Sequence, residues 1–393
     1  MLNLQITKQA SQLFIFGWFA VLFAILYAGW TSTWQTLHIP TMSPPFADMR
    51  TVQGSLSSLD SGLNPQISNP GDPWNRRMNY PSAWSWIAKA LGLQHESNFL
   101  VFVSVTIAAF LFCCYFLLRQ YPSITLFLLC FSSSTLLAVE RGNNDLVVFT
   151  LLFLAASSPV AVSMIAMFAA TSLKIYPLLA LPAFLGNLRH AAGMALLVII
   201  AIAIVWPELS AIQSATPTSS SLSYGTPSIA SALLHKFGIS LPHIVLTIAL
   251  IAVSFTMLAL PWVKARLATA DTNKHEEMLF LAGACIYVGT FMLSSNWDYR
   301  LIFLLLCVPF LMKIKDIFVR FGLVISLLIA LNFTPLVLAL GSFGLAINML
   351  SKVSLFVILT AMILIQIQAS LFLKYPAACG GDKTMGVSKG GEA

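Results

Sequence analysis

The stretch between Pro44 and Trp86 is a polar loop in a chain that is otherwise largely apolar. Its six charged side chains are Asp48, Arg50, Asp60, Asp72, Arg76 and Arg77. A carboxylate beside a substrate can accept a proton as a general base, and arginines bind phosphate groups through paired hydrogen bonds. Asp48 is the strongest candidate base because it follows the first apolar segment, and an ionisable group near membrane depth usually faces a cavity. The simpler alternatives are an exposed loop carboxylate or an ion pair with Arg50.

Three further polar clusters interrupt the apolar sequence. ERGNND at 140–145 places three ionisable groups and two amides in a turn that needs only a glycine and one asparagine. Lys174, in KIYP, is a compact cation suited to phosphate. SNWDYR at 295–300 combines an aspartate and an arginine with two aromatic residues. The alternatives remain a polar turn, a lysine that reaches for the membrane surface, and a surface ion pair in an aromatic belt.

The segments that position these clusters have the composition of a membrane protein. Of the 393 residues, 58% are hydrophobic and 9% are charged, whereas soluble proteins carry about 25% charged residues. Apolar runs of this length favour helices over barrel strands. We predict an all-α integral membrane fold with about twelve transmembrane helices, in a range of roughly ten to thirteen. The predicted helices cover residues 13–30, 98–118, 121–139, 146–156, 160–173, 178–188, 192–206, 244–262, 278–294, 301–312, 321–340 and 353–373.

A single polytopic domain over residues 1–375 is predicted, followed by a cytoplasmic, disordered tail at 376–393. The long first external loop, 31–97, contains an amphipathic segment at 83–93 whose tryptophans suit the membrane interface. The short loops on the side of the termini hold more lysine and arginine than those opposite, so both termini are predicted to be cytoplasmic. In this topology all four polar clusters lie on the outer face.

Other chemistries find no support in the sequence. Five of the six cysteines lie in apolar segments, so no disulfide framework is expected. The histidines lack metal-ligand spacing, and the glycine motifs of nucleotide-binding proteins and the motifs of common hydrolases are missing. We therefore expect no metal site, no cofactor and no nucleic-acid partner, while a divalent cation that bridges Asp48 and Asp145 stays open. The oligomeric state stays open.

Together these features resemble the GT-C superfamily, multi-pass glycosyltransferases that use sugars on polyprenyl-phosphate carriers. The resemblance rests on Asp48, on Gly62-Leu63-Asn64-Pro65 and Asn79-Tyr80-Pro81 in the first loop, and on GNNDLVVFTLLFLA (142–155) and LKIYPLLALPAFL (173–185). Within the superfamily the chain is most similar to bacterial polyprenyl-phosphate-mannose-type transferases, often described as glycosyltransferase family 87. The resemblance covers roughly residues 10–190 well and the C-terminal half loosely, and the charge in 66–78 leaves the acceptor open.

The resemblance implies an enzyme of the bacterial inner membrane whose active site faces the periplasm. It would move mannose, or another hexose or pentose, from a polyprenyl-phosphate carrier to a glycan or glycolipid acceptor, with inversion of the anomeric configuration. Membrane lipids would surround the protein. It implies Asp48 as the base and a donor phosphate bound by Lys174, Arg300 and Arg141. The remaining candidates, all predicted to contact substrate, are Arg50, Arg76, Arg77, Tyr80, Glu140, Asn143, Asn144, Asp145, Tyr176, Trp297 and Asp298.

Two other classes of protein compete with this interpretation. A transporter or flippase for a lipid-linked glycan would also need many helices, but transporters commonly show polar groups at mid-membrane and a repeated half. The sequence shows no internal repeat, and its charges gather on one predicted face. A non-catalytic membrane scaffold is the third class, and it would tolerate loss of the Asp48 carboxylate.

Overall fold

The computed structural model describes residues 2–217, 219 and 221–372, and 76% of the structure is helical. The predicted tail at 376–393 lies outside the described residues. The α-helices are α1 (Leu2–Ala28), α2 (Trp30–Thr36), α3 (Ala47–Asp60), α4 (Ala83–Ala90), α5 (Glu96–Gln120), α6 (Ile124–Cys130), α7 (Ser133–Glu140), α8 (Asp145–Ser157), α9 (Val160–Leu173), α10 (Leu188–Val205), α11 (Leu209–Ala215), α12 (Thr226–Phe237), α13 (His243–Ala259), α14 (Pro261–Arg266), α15 (Lys274–Leu293), α16 (Val308–Leu311), α17 (Ile317–Leu331) and α18 (Phe333–Phe372). Tyr176–Phe184, Trp206–Glu208 and Asp298–Cys307 form 3₁₀ helices, and β1 (Ser223–Tyr224) pairs antiparallel with β2 (Asn296–Trp297).

The helices have the lengths and apolar faces of a membrane protein, which confirms the all-α prediction. Within the described residues, five helical segments are long and apolar enough to cross a membrane: Gln9–Ala28, Glu96–Gln120, Leu188–Ala215, Lys274–Leu293 and Phe333–Ala369. Five shorter apolar segments accompany them: Ile124–Glu140, Asp145–Ser157, Val160–Leu173, His243–Ala259 and Ile317–Leu331. Helix α1 exposes Phe16, Phe19 and Phe23, and such an outward apolar face suits a lipid environment.

Two predicted helices have different bounds because capping residues start α-helices at other positions than predicted. The predicted helix 121–139 divides into α6 and α7, since the Ser132 hydroxyl accepts the backbone N–H of Thr135 and caps α7. The predicted helix 321–340 begins earlier, because the Asp316 carboxylate accepts the N–H groups of Phe318 and Val319. Serine and aspartate are strong N-caps, so both corrections follow from signals present in the sequence.

Three further segments differ from the sequence-based prediction. Residues 178–188 and 301–312, predicted as transmembrane helices, lie largely in the 3₁₀ helices Tyr176–Phe184 and Asp298–Cys307. In the first of these, Pro182 has no N–H to donate, so a regular α-helix is disfavoured. Residues 207–243, which lie between two predicted helices, contain α11 and α12, and α12 ends at Gly238 in the left-handed conformation typical of helix ends.

The first loop folds into a compact unit with its own apolar cluster. Helix α3 buries Met49, Val52 and Leu56, three residues on one helical face, against Met78 and Trp84. Helix α4 is amphipathic, as predicted: Trp84 is buried and Trp86 is exposed. The unit is fastened to the helices, because the indole N–H of Trp84 donates to the carbonyl of the last α9 residue at 3.0 Å.

A glycine pair lets two backbones of this loop meet. An added Cβ on Gly54 would lie 2.4 Å from the carbonyl carbon of Gly71, and one on Gly71 would lie 2.2 Å from the Gly54 oxygen. No other residue fits at either position without a backbone shift. The contact seats the turn at 69–72 directly on α3.

Helix α15 lies at the centre of the main core. Most of its residues are buried, and it packs against α18 and against the 3₁₀ helices Tyr176–Phe184 and Asp298–Cys307. These two 3₁₀ helices begin beside Lys174 and Arg300. The central packing therefore brings together the polar clusters of the middle and the C-terminal part of the chain.

Candidate active site

A cavity of about 370 Å³ lies between the first loop and the C-terminal half of the chain. Six predicted site residues line it: Asp48, Arg76, Arg77, Tyr80, Arg141 and Trp297. Other lining residues were not predicted, among them Thr51, Asn79, Leu222 and Tyr299. The cavity is the right size for part of a small ligand.

Asp48 occupies the first turn of α3 and faces this cavity. Its backbone N–H donates to the Arg141 carbonyl at 3.0 Å, which fixes the start of α3 against the polar turn 140–145. Its carboxylate accepts a hydrogen bond from the Asn143 amide through Oδ2, and the guanidinium of Arg76 lies 3.4 Å from Oδ1. The Asp48 side chain is 13% exposed. A carboxylate has about four acceptor positions, so room remains for a substrate proton.

Asp72, for which the sequence predicted no role, holds Arg76 in place. Its two oxygens accept from Nη2 of Arg76 at 2.8 Å and from Nε at 3.1 Å, and also from the Thr51 hydroxyl at 3.0 Å. Burial disfavours the Arg76 cation, but the hydrogen bond to Asp72 and the charges of Asp48 and Asp72 outweigh it and raise the pKa of Arg76. Arg76 is therefore a fixed, permanently charged wall of the cavity.

A second charged cluster surrounds Asp145, which is fully buried at the start of α8. Its Oδ1 accepts from the Lys174 ammonium and, at 2.6 Å, from the Tyr176 hydroxyl. Its Oδ2 accepts from Nε of Arg300 at 3.2 Å. Two cations share one carboxylate, so the cluster carries a surplus positive charge that an anionic ligand would neutralise.

Tyr80 lies between the cavity and this cluster. Its ring lines the cavity, and the Lys174 nitrogen lies 5.0 Å from the ring centre. Burial, followed by the nearby Asp48 carboxylate, raises the pKa of Tyr80 well above its usual value, so the phenol stays neutral. The cation cluster thus adjoins the cavity without lining it.

Two residues outside the predicted set fix the backbone at Tyr80. The Gln66 side chain donates to the Tyr80 carbonyl at 3.1 Å and to Glu208 at 2.8 Å. Glu208 also accepts the backbone N–H of Ser82 at 2.7 Å. No sequence motif marks Gln66 and Glu208, because their partners lie far apart in the chain.

Two of the predicted substrate contacts, Arg50 and Glu140, bind other residues of the protein in the structure. Arg50 donates to both oxygens of Glu96 at 2.7 Å and lies 4.3 Å from the Phe99 ring centre. The buried Glu140 accepts the Met42 N–H at 3.0 Å and pairs with Arg141 at 3.1 Å.

Three remaining candidates differ in their surroundings. Asp298 pairs with Lys352, a residue that had no predicted role. Arg77 is exposed at the cavity and donates to the Ser214 carbonyl. Asn144 is buried, and its side-chain amide has no hydrogen-bond partner among the described residues.

Comparisons with known proteins give no relative from which a function could be transferred: no family model, no curated protein and no solved structure matches the chain. Within the described residues, no group of three or more histidine, cysteine, aspartate or glutamate side chains could hold a metal ion. The chemistry must therefore be inferred from the cavity, Asp48 and the cations around Asp145.

Proposed function

We propose that the protein is a membrane glycosyltransferase that moves a sugar from a polyprenyl-phosphate carrier to a glycan or glycolipid acceptor. One observation carries the proposal. The Asp48 carboxylate faces a cavity, and a single side chain, Asn143, connects it to the backbone of Asp145, whose carboxylate binds Lys174 and Arg300. A displacement at a sugar phosphate requires a base for the attacking hydroxyl and positive charge near the leaving phosphate.

The proposed reaction is a single displacement. An acceptor hydroxyl oxygen forms a bond to the anomeric carbon while its proton passes to Asp48. The bond between that carbon and the phosphate oxygen breaks, and its electron pair stays on the oxygen. The products are an inverted glycoside and a polyprenyl phosphate, which carries one more negative charge than the phosphodiester donor.

The leaving phosphate gains this charge beside the cations. Lys174 and Arg300 carry a surplus positive charge over Asp145, and Arg141 lines the adjoining cavity. In a buried site such cations stabilise developing negative charge more strongly than they would in water. We assign Lys174, Arg300 and Arg141 to the donor phosphate.

The aromatic wall of the cavity, formed by Trp297 and Tyr299, suits a sugar. Both residues line the cavity, and their rings stack with 6.4 Å between centres and 11° between planes. The C–H faces of sugar rings are apolar and pack on aromatic rings, while sugar hydroxyls need polar partners. Arg76, Arg77 and Asn79 supply such partners on other sides of the cavity.

We further propose the membrane setting that the GT-C resemblance implies. The chain would cross a bacterial inner membrane about twelve times, with cytoplasmic termini and the cavity on the outer face. The lipid tail of the donor favours a site at the bilayer edge. The apolar, exposed faces of α1 and α10 support a lipid environment around the helices.

The deciding experiment uses purified protein in proteoliposomes that contain polyprenyl phosphates linked to mannose, glucose, galactose or arabinose. We expect acceptor-dependent release of polyprenyl phosphate from one of these donors. Asp48→Asn should lower that release about 100-fold or more, whereas Asp60→Asn, an exposed change at the other end of α3, should not. Transfer at the wild-type rate by Asp48→Asn would refute the base assignment. A flippase would instead move the intact donor across the bilayer, and a scaffold would do neither.

A further inference from the structure

A buried ion pair outside the proposed active site joins the last long helix to the cavity wall. The Lys352 ammonium of α18 lies 2.7 Å from Oδ1 of Asp298, and both side chains are 2% exposed. Neither residue lines the cavity. Oδ2 of Asp298 has no hydrogen-bond partner among the described residues.

Stability does not account for this pair. Desolvation of two ions costs several kcal/mol each, and replacement of a buried pair by apolar side chains is often neutral or stabilising. The unpartnered oxygen makes the burial less favourable still. What the pair provides is a defined position, because a buried ammonium group must direct its three donors to acceptors within the protein.

Lys352 uses its donors to hold both strands of the small ladder β1–β2. It donates to Asp298, the residue after β2, and to the carbonyl of Ser223 in β1 at 3.2 Å. The Asp298 backbone N–H donates to the Leu222 carbonyl at 2.9 Å, which closes the same junction from the other side. A two-residue ladder is too short to be stable alone, so these contacts decide its position.

This junction carries the aromatic part of the cavity wall. Leu222, just before β1, lines the cavity, as do Trp297 in β2 and Tyr299 after it. The carbonyl of Lys352 is itself held, because it accepts the Tyr287 hydroxyl of α15 at 2.6 Å. A rigid helix pair therefore supports the aromatic wall from behind.

We propose that Lys352 is a positioning residue: through Asp298 and Ser223 it fixes the orientation of the Trp297–Tyr299 wall and thereby sets how tightly the acceptor sugar binds. The inference rests on the proposed function. Loss of the lysine should affect acceptor binding more than donor binding, because Lys174 and Arg141 lie outside this junction and Arg300 keeps its own bond to Asp145.

The test uses the double variant Lys352→Met/Asp298→Asn, which removes both charges and leaves no unpaired ion. Its matched control is Lys313→Met/Glu276→Gln, which removes the charge of another largely buried carboxylate and its lysine, 3.7 Å apart and away from the cavity. Hydrogen exchange of a peptide covering 295–300 should accelerate about tenfold or more in the first variant and stay unchanged in the control.

Kinetics with a short-chain polyprenyl-phosphate mannose as donor and octyl mannoside as acceptor complete the test. We expect the acceptor KM to rise about tenfold in Lys352→Met/Asp298→Asn, with the donor KM and kcat within roughly threefold of wild type. Unchanged exchange, or an equal loss for donor and acceptor, would overturn the role of Lys352 while leaving the transferase proposal intact. A wild-type protein without transfer activity on any donor would overturn the proposed function itself, and the exchange measurement would still show whether Lys352 holds this wall.

Discussion

The Asn143 amide joins Asp48 to Asp145. Its nitrogen donates to the Asp48 carboxylate, and its oxygen accepts the backbone N–H of Asp145 at 2.7 Å. Asn143 is fully buried, so neither bond competes with water. One side chain thus fixes the spacing between the proposed base and the proposed phosphate site.

Replacement of Asn143 by alanine should release the Asp48 carboxylate from its fixed position beside the proposed phosphate site. Without the amide, Asp48 loses its fixed orientation, and we expect polyprenyl phosphate release to fall about tenfold or more. The matched control is Asn187→Ala, which removes the cap of α10 at a cost of about 1 kcal/mol in stability and should leave turnover unchanged. Equal turnover of the two variants at equal thermal stability would argue against the role of Asn143.

The surplus positive charge around Asp145 should depend on Lys174. Lys174→Met leaves Asp145 paired with Arg300 and Tyr176 but removes the surplus, so donor turnover should fall about 100-fold. The double variant Lys174→Met/Asp145→Asn restores one net positive charge and should recover part of the loss. Lys89→Met, at an exposed residue, serves as control. Identical turnover of the single and double variants would show that net charge is not the deciding property.

A substitution at Arg50 can show whether this residue stabilises the fold or binds substrate. Its two-point contact with Glu96 and its position over Phe99 require a planar guanidinium. Arg50→Lys should therefore lower stability by about 1 kcal/mol, seen as a lower Tm, with donor and acceptor KM unchanged. A raised KM at an unchanged Tm would instead support the substrate contact predicted from the sequence.

Metal dependence can be tested with a chelator. The carboxylates near the cavity already have cationic partners: Asp72 binds Arg76, and Asp145 binds Lys174. A divalent cation would have to displace these partners, so we expect transfer to persist in EDTA. Inactivation by EDTA that Mg²⁺ or Mn²⁺ reverses would contradict this expectation and require a different donor site.

The sequence was most informative where physical constraints act locally. Most of the long apolar runs form α-helices, as predicted, because the backbone groups of a buried apolar segment must satisfy one another. The tryptophans at 83–93 correctly indicated an amphipathic helix, α4. Polar residues concentrated in apolar surroundings identified Asp48, Asn143 and Lys174, which the structure brings into one region.

What the sequence could not provide was pairing over long distances. Lys352 sits between apolar segments like any lysine at a helix end, and only tertiary packing shows its contact with Asp298, 54 residues earlier. Asp72 and Arg76 are only four residues apart, but only the fold shows that Arg76 also lies beside Asp48, 28 residues earlier in the chain. The 3₁₀ segments were missed because apolar composition does not distinguish them from α-helix.

The surroundings of Asp145 also have a consequence for the order in which the chain is made. A ribosome synthesises this aspartate 29 residues before Lys174 and 155 residues before Arg300. Until Lys174 has emerged, the carboxylate at the start of α8 has no cation nearby in sequence that would make its burial tolerable. A nascent chain truncated before Arg300 would therefore hold Asp145 and Lys174 as a neutral pair. The surplus positive charge proposed to bind the donor phosphate would arise only after most of the protein has left the ribosome.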